Sequence, residues 1–132
     1  MSSISVTIKD ETSGGKTFHS FQIELPTSLV TVGELIERRV LAEVNKYNKT
    51  RNEKYYGLVQ PDGAEVILNG FRLQKFRPVD AKKQTQVAKD AFLKNGFFIL
   101  IDSIQAESLE QAFVLHQRSE ISFIKLTPLV GG

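Results

Sequence analysis

Ile4, Val6 and Ile8 alternate with Ser5, Thr7 and Lys9, the period of two expected of a half-buried strand. Ser13-Gly14-Gly15-Lys16 is a turn signal, and Phe21, Ile23 and Leu25 then alternate with Gln22 and Glu24 up to Pro26. The two runs predict an N-terminal β-hairpin. Thr31 stands three residues before Glu34, a capping-box spacing that opens a helix over about 32–48. Val32, Leu35, Ile36, Val40 and Val44 fall on one face of that helix and Tyr47 extends it, while Glu34, Glu37, Arg38 and Glu43 are read as pointing elsewhere.

The middle of the chain is less regular. Pro61-Asp62-Gly63 marks a turn, because proline presets φ and glycine permits positive φ. Ala64–Leu68 reads as a short returning strand closed by Asn69-Gly70. Asp80 caps a second helix over about 81–94, with Val87, Ala88, Ala91 and Phe92 as its apolar face and Asn95-Gly96 as its stop. Phe97–Ile101 is a continuous apolar run of strand length and predicts a buried central strand. Ser108, with Gln111 three residues on, predicts a short helical turn carrying Leu109, Ala112, Phe113 and Leu115. A last strand runs over 121–127, where Pro128 stops the ladder because it has no N–H to donate.

Composition narrows the chemistry. At 132 residues, with 41% hydrophobic and 24% charged residues, the expectation is one globular domain spanning 1–132. No apolar run approaches the roughly 18 residues of a membrane span. Met1-Ser-Ser-Ile-Ser-Val has no signal-peptide character, so a soluble, cytoplasmic chain is expected. With no cysteine, disulfides, thiolate zinc sites and thiol nucleophiles are excluded. His19 and His116 lie far apart and lack metal-ligand spacing, so both are read as surface or boundary residues. The net charge of +2 hides a contrast: residues 45–95 carry eleven basic and five acidic side chains, a net +6, against −4 for the rest. That segment is expected to carry partner or self-association contacts with an acidic surface, through Lys82, Lys83 and Lys89 among others.

The element order predicts an α+β domain: two antiparallel strands, a long helix, a strand, a short helical turn and a final strand. Residues add to the likeness. Leu109–Leu126, followed by Gly131-Gly132, resembles the end of ubiquitin, and Ile23-Glu24-Leu25 before a Thr-capped helix resembles its second strand and main helix. The resemblance covers about 3–48 and 97–132. It implies a ubiquitin-like β-grasp fold with a large insertion, about 45–95, between the main helix and the third strand, and a C-terminal tail over 128–132. The tail lacks the arginines that precede the glycines in ubiquitin, so the chain is more similar to a divergent modifier of bacterial type, served by its own enzymes.

What the resemblance implies about function is specific. Such a modifier is a substrate and not an enzyme, with no catalytic residue, metal or cofactor of its own. A ubiquitin-activating-like enzyme uses ATP to adenylate the C-terminal carboxylate, here that of Gly132, and then holds it as a thioester. A conjugating-type enzyme passes the acyl group to target proteins, and a deconjugating protease removes it. Gly131 and Gly132 are slim enough to enter a narrow channel, and Pro128, Leu129 and Val130 are the residues for tail recognition. The enzyme-binding patch implied by the resemblance is Leu100 with Ile124 and Leu126, provided that Ile121 and Phe123 point into the core. Two alternatives stand beside this. A sulfur carrier of the same fold would bear a thiocarboxylate at the same glycine. A nucleic-acid-binding module would use the basic segment, with Tyr55, Tyr56, Phe71 and Phe76 as stacking groups; aromatics in so short a segment more often pack a small core.

Overall fold

The computed structural model describes residues 3–50, 54–67, 70–73, 76 and 78–126. In chain order the elements are β1 (Ile4–Thr12), β2 (Thr17–Leu25), β3 (Leu29–Thr31), α1 (Val32–Thr50), β4 (Lys54–Tyr55), β5 (Glu65–Ile67) and β6 (Gly70–Arg72). They continue with α2 (Ala81–Leu93), β7 (Phe97–Ile101), β8 (Ile104–Gln105), β9 (Ala112–Val114) and β10 (Glu120–Lys125). The chain is therefore α+β.

The main sheet has the strand order β2-β1-β10-β7-β8. Its middle pair, β1 with β10, is parallel, with Ile8 beside Ile121 and Asp10 beside Phe123. The β1–β2 and β7–β10 pairs are antiparallel. Helix α1 packs on one face. Val32, Leu35, Ile36, Val40, Val44 and Tyr47 share a core with Val6, Ile8, Ile23, Ile99, Ile121 and Phe123, all buried as the two periodicities require. A fully buried Leu or Ile of this kind is worth about 1.5–3 kcal/mol of transfer free energy.

Local signals place these elements. The Thr31 N–H donates to Glu34 Oε1 at 3.0 Å and the Glu34 N–H to Thr31 Oγ1 at 3.1 Å, a complete capping box. The Thr31 N–H draws the exposed Glu34 carboxyl below the usual range. Helix α2 starts at Asp80, whose side chain accepts from the N–H groups of Lys82 and Lys83 at 3.0 and 3.3 Å. It stops where Asn95 turns left-handed (φ 60°), with the Gly96 N–H bonded to the Ala91 carbonyl and that of Asn95 to the Phe92 carbonyl. Asp80→Ala should cost about 1 kcal/mol of unfolding free energy in a urea titration; a loss below a few tenths would show that the cap is dispensable.

Several expectations are corrected. The helical turn after Ser108 is a turn over 109–110 followed by strand β9, because Leu29–Thr31 offers it a ladder: Val30 pairs with Phe113 and Leu29 with Val114. The Gln111 side chain closes the turn by accepting the Glu107 N–H at 2.7 Å instead of capping a helix. Phe97–Ile101 is not buried on both faces; Phe97, Ile99 and Ile101 are buried, whereas Phe98 and Leu100 are half-buried on the opposite face. It lies between β10 and the two-residue edge strand β8, reached through Asp102 and Ser103, both at positive φ. Val87 is exposed, and Gln84 takes its place on the inner face of α2, donating to the Val59 carbonyl at 3.0 Å.

The middle segment is not a solvated appendage. β4, β6 and β5 form a small antiparallel sheet, and Tyr55, Leu58, Leu73, Ala88 and Phe92 join the same core as α1. The returning strand covers Glu65–Ile67; Leu68 and Asn69 lie outside the described residues. The Asn48 side chain on α1 fixes the segment by bonding both the N–H (2.9 Å) and the carbonyl (3.1 Å) of Val79. Lys89 pairs with Glu37 of α1 at 3.0 Å, and Lys83 pairs with Asp62 across the exposed surface of the segment, so two of the basic residues assigned to an acidic partner also have acidic partners within the chain.

Candidate functional site

The last strand is the natural starting point, because it leads to the residues that the sequence marks as chemical. Gly131, Gly132, Pro128, Leu129 and Val130 all lie outside the described residues, as does Thr127. The chain is described up to Leu126, one residue past the end of β10.

Strand parity divides β10 as expected. Ile121 and Phe123 are fully buried against α1, so Ser122 and Ile124 face the other side of the sheet. There Leu100 stands beside Ser122, and Phe98 stands beside Ile124. Leu100 and Ile124 are half-buried and Leu126 is 48% exposed. Leu100 and Ile124 therefore share one face, and Leu126, just past β10, is exposed. Phe98 belongs with them; reading Phe97–Ile101 as a strand buried on both sides concealed it, although the alternation that gives Leu100 also gives Phe98. On the β1 side the patch meets polar groups: Glu11 lies beside Ile124 and accepts a hydrogen bond from Ser122 Oγ at 2.6 Å.

The inner face carries an ionic network that the helical wheel misassigned. Arg39 is completely buried. Its guanidinium clamps Asp10 of β1 through both terminal nitrogens, Nη2 to Oδ2 at 2.6 Å, and its Nε bonds Glu43 one turn on. Glu43, expected to point to other surroundings, is buried because its second oxygen accepts the Leu58 N–H at 3.1 Å and the Tyr55 hydroxyl at 3.4 Å. Phe21 and Phe123 place their rings 5.1 and 4.4 Å from the guanidinium carbon. Burial opposes the charge on Arg39, but Glu43 and Asp10 more than offset it and raise its pKa. Burial, then Glu43, raises that of the Tyr55 hydroxyl. One network thus ties sheet, main helix and middle segment together.

Lys125 links that network's surroundings to the end of β10. It shares the inward parity of Phe123, is half-buried, and donates from Nζ to the Gly57 carbonyl at 2.9 Å. The rings of Phe18 and Phe71 lie 5.7 Å from the same nitrogen. Gly57 cannot be replaced there, since a Cβ would run into the Tyr55 ring. Burial lowers the Lys125 pKa from its ordinary 10.5. Between the lowered and the ordinary value the unfolded chain holds a proton that the folded chain has released, so this contribution to stability grows as pH rises. Lys125→Met should flatten that alkaline rise in urea midpoints; an unchanged slope would mean that the ammonium is fully solvated.

The remaining candidates fall apart in space. Tyr55 is buried, and Phe71 and Phe76 are half-buried against the core, leaving Tyr56 as the exposed ring of the four proposed for stacking. His19 is half-buried on β2, whereas His116 is exposed in the turn before β10, accepting the Arg118 N–H at Nδ1. Among the described residues no three His, Cys, Asp or Glu side chains converge as metal ligands, and no helix is long and apolar enough to cross a membrane. No protein-family model, curated protein or solved structure matches the chain.

Proposed function

We propose that this chain is a ubiquitin-like protein modifier of β-grasp fold, conjugated to target proteins through the carboxylate of Gly132. The observation that carries the reading is the sheet. Its order, β2-β1-β10-β7-β8, has a parallel pair formed by the first and last strands at its centre and a helix across one face. That order and that parallel pair support the β-grasp reading. The last strand is gripped on both sides, and the chain leaves it seven residues before the end of the sequence. The middle segment, built of three short strands and α2, would be the insertion that sets this chain apart from ubiquitin.

The chemistry balances without a catalytic group on the modifier. An activating enzyme joins the Gly132 carboxylate to the α-phosphate of ATP, releasing pyrophosphate. The enzyme's cysteine thiolate displaces AMP to give a thioester. A conjugating-type enzyme then presents the acyl group to a target nucleophile, which forms the new bond as the thiol leaves. If Gly132 is followed by further residues in the cell, a protease must first expose its carboxylate, and the same class of protease would reverse conjugation. Leu100, Ile124 and Leu126, with Phe98, would be the face the enzymes hold, because Phe98, Leu100 and Ile124 lie together on the outer face of β7 and β10 and border the polar Glu11 and Ser122. Gly131 adds slimness, and Pro128, Leu129 and Val130 would be read on the way into the channel.

The test is formation of an ATP-dependent, reductant-sensitive adduct between a chain ending at Gly132 and the activating enzyme of its own host. A chain that is never charged under these conditions would sink the proposal. A thiocarboxylate at Gly132 in protein from the host would favour the sulfur-carrier alternative.

A further inference from the structure

A cavity of about 250 Å³ lies at the edge of the main sheet, between the end of α2, the start of β7 and the stretch from Gln105 to Glu107. The residues that line it belong to one continuous described stretch, 92–107. Its volume falls below the roughly 300–1,000 Å³ of an ordinary small-molecule site and suits a single long side chain.

The lining has one sign of charge. Glu107 is its single charged residue, and Asn95 and Gln105 add two carboxamides. All three side chains are exposed, and none makes a hydrogen bond or ion pair among the described residues. Phe92 and Phe97 are buried ring to ring at 5.9 Å on the cavity's inner side, and the half-buried Phe98 is the more accessible aromatic residue of the lining. Helix α2 ends at this wall, so the partial negative charge of its last carbonyls is added to that of Glu107. Lys94, the cap residue of α2, does not line the cavity. A carboxylate, amide oxygens, aromatic rings and a helix C-terminus all favour a cation.

The backbone on both sides is pinned. The Gly96 N–H bonds the Ala91 carbonyl at 2.8 Å, and the Ala106 N–H bonds the Ile99 carbonyl at 2.9 Å. The Glu107 N–H bonds the Gln111 side chain at 2.7 Å. Walls fixed in advance lower the ordering cost of binding.

We propose that this cavity takes the guanidinium group of an arginine presented by a protein partner, with the arginine stem along Phe98 and the planar head toward Glu107, Gln105 and Asn95. Arginine suits it better than lysine, because a planar fork reaches several acceptors at once and stacks on a ring. Phe98 connects the cavity to the outer face of the sheet: it alternates with Leu100 along β7 and stands beside Ile124. A partner seated on that face has the cavity within reach of one side chain, and arginine is among the residues most enriched at such anchor points. The inference does not depend on the modifier reading.

The full chain, labelled with heavy nitrogen, should be titrated by magnetic resonance with arginine blocked at both ends. Blocked citrulline, nearly the same shape without the charge, is the control. Saturable shifts are expected at the amides of Asn95, Gly96, Phe98 and Glu107, with arginine bound about tenfold or more tighter than citrulline. Glu107→Gln removes no contact within the chain and should erase about that factor. Asn95→Gly keeps the left-handed turn while removing one carboxamide, so it should weaken binding by less. Blocked Arg-Gly-Leu sets its leucine about 7 Å from the arginine, the spacing of Phe98 and Leu100 on β7. It should bind tighter than arginine alone, and Leu100→Asp should remove only that gain. Equal affinity for arginine and citrulline, no effect of Glu107→Gln, or shifts centred on other carboxylates would overturn the proposal. A tripeptide no tighter than blocked arginine would overturn the partner's arginine in favour of a free guanidino compound.

Discussion

Arg39→Met should lower the unfolding free energy by about 3–5 kcal/mol, the usual cost of removing one partner from a buried ion pair. The loss comes less from the missing attraction than from what remains. Asp10 would be left on the sheet with neither water nor guanidinium, and Glu43 would keep only the Leu58 N–H and the Tyr55 hydroxyl. Arg39→Lys should not rescue it. A lysine is a point donor, whereas Arg39 grips both Asp10 oxygens, reaches Glu43 through Nε and lies over Phe21 and Phe123. The double variant Asp10→Leu/Arg39→Met should be more stable than the sum of its singles allows, because removing both charges leaves only Glu43 to satisfy. Urea unfolding followed by circular dichroism measures the four variants, Asp10→Leu included, against the unsubstituted chain. A loss under about 1 kcal/mol for Arg39→Met would mean that water reaches the cluster and that it is not a keystone of the fold.

The same cluster shows how far the sequence could be read. The hairpin, both helices, their caps and the inward parity of Ile121 and Phe123 follow from patterns within a few residues of each other, and local sterics and local hydrogen bonds are enough to produce them. Arg39 and Glu43 were also within reach of periodicity. Each lies four residues after an inward position, Leu35 and Arg39 respectively, and Asp10 continues the inward series Val6, Ile8. Glu43 was read as pointing elsewhere because a charge on an apolar face is ordinarily solvated; only the approach of β1 to α1, which sets Asp10 against Arg39 across 29 residues of sequence, stabilises these charges in the core. The β3–β9 ladder was illegible for a stronger reason. Three-residue strands carry almost no period, and Ala112-Phe113-Val114 becomes a strand because Leu29–Thr31 lies beside it. The outer-face patch was half legible: alternation gave Leu100 and Ile124 their side, while an unbroken apolar run hid the half-exposed face of Phe98.

Deleting Gly131-Gly132 should abolish charging by the activating enzyme and leave unfolding free energy within about 0.5 kcal/mol of the full-length chain. The two halves of that expectation have separate grounds. Stability should hold because, among the described residues, Phe123 is the last buried hydrophobic side chain, and Lys125, the last inward side chain of β10, already has its partner in the Gly57 carbonyl. Charging should fail because a truncated chain ends at Val130, whose branched side chain would stand beside the reacting carboxylate in a channel suited to glycine. Gly132→Ala is the graded test. It keeps the length and the carboxylate and adds a single Cβ, so it should slow adenylation without ending it. Leu100→Asp separates recognition from chemistry. It leaves the tail intact and places a charge on the outer face, so it should raise the concentration of modifier needed for half-maximal charging more than it lowers the maximal rate. The readout throughout is the ATP-dependent adduct, resolved with and without reductant. If the truncated chain is charged as fast as the full one, the glycines have no part in the chemistry, and a modifier that reacts through Gly132 is ruled out whatever the sheet resembles.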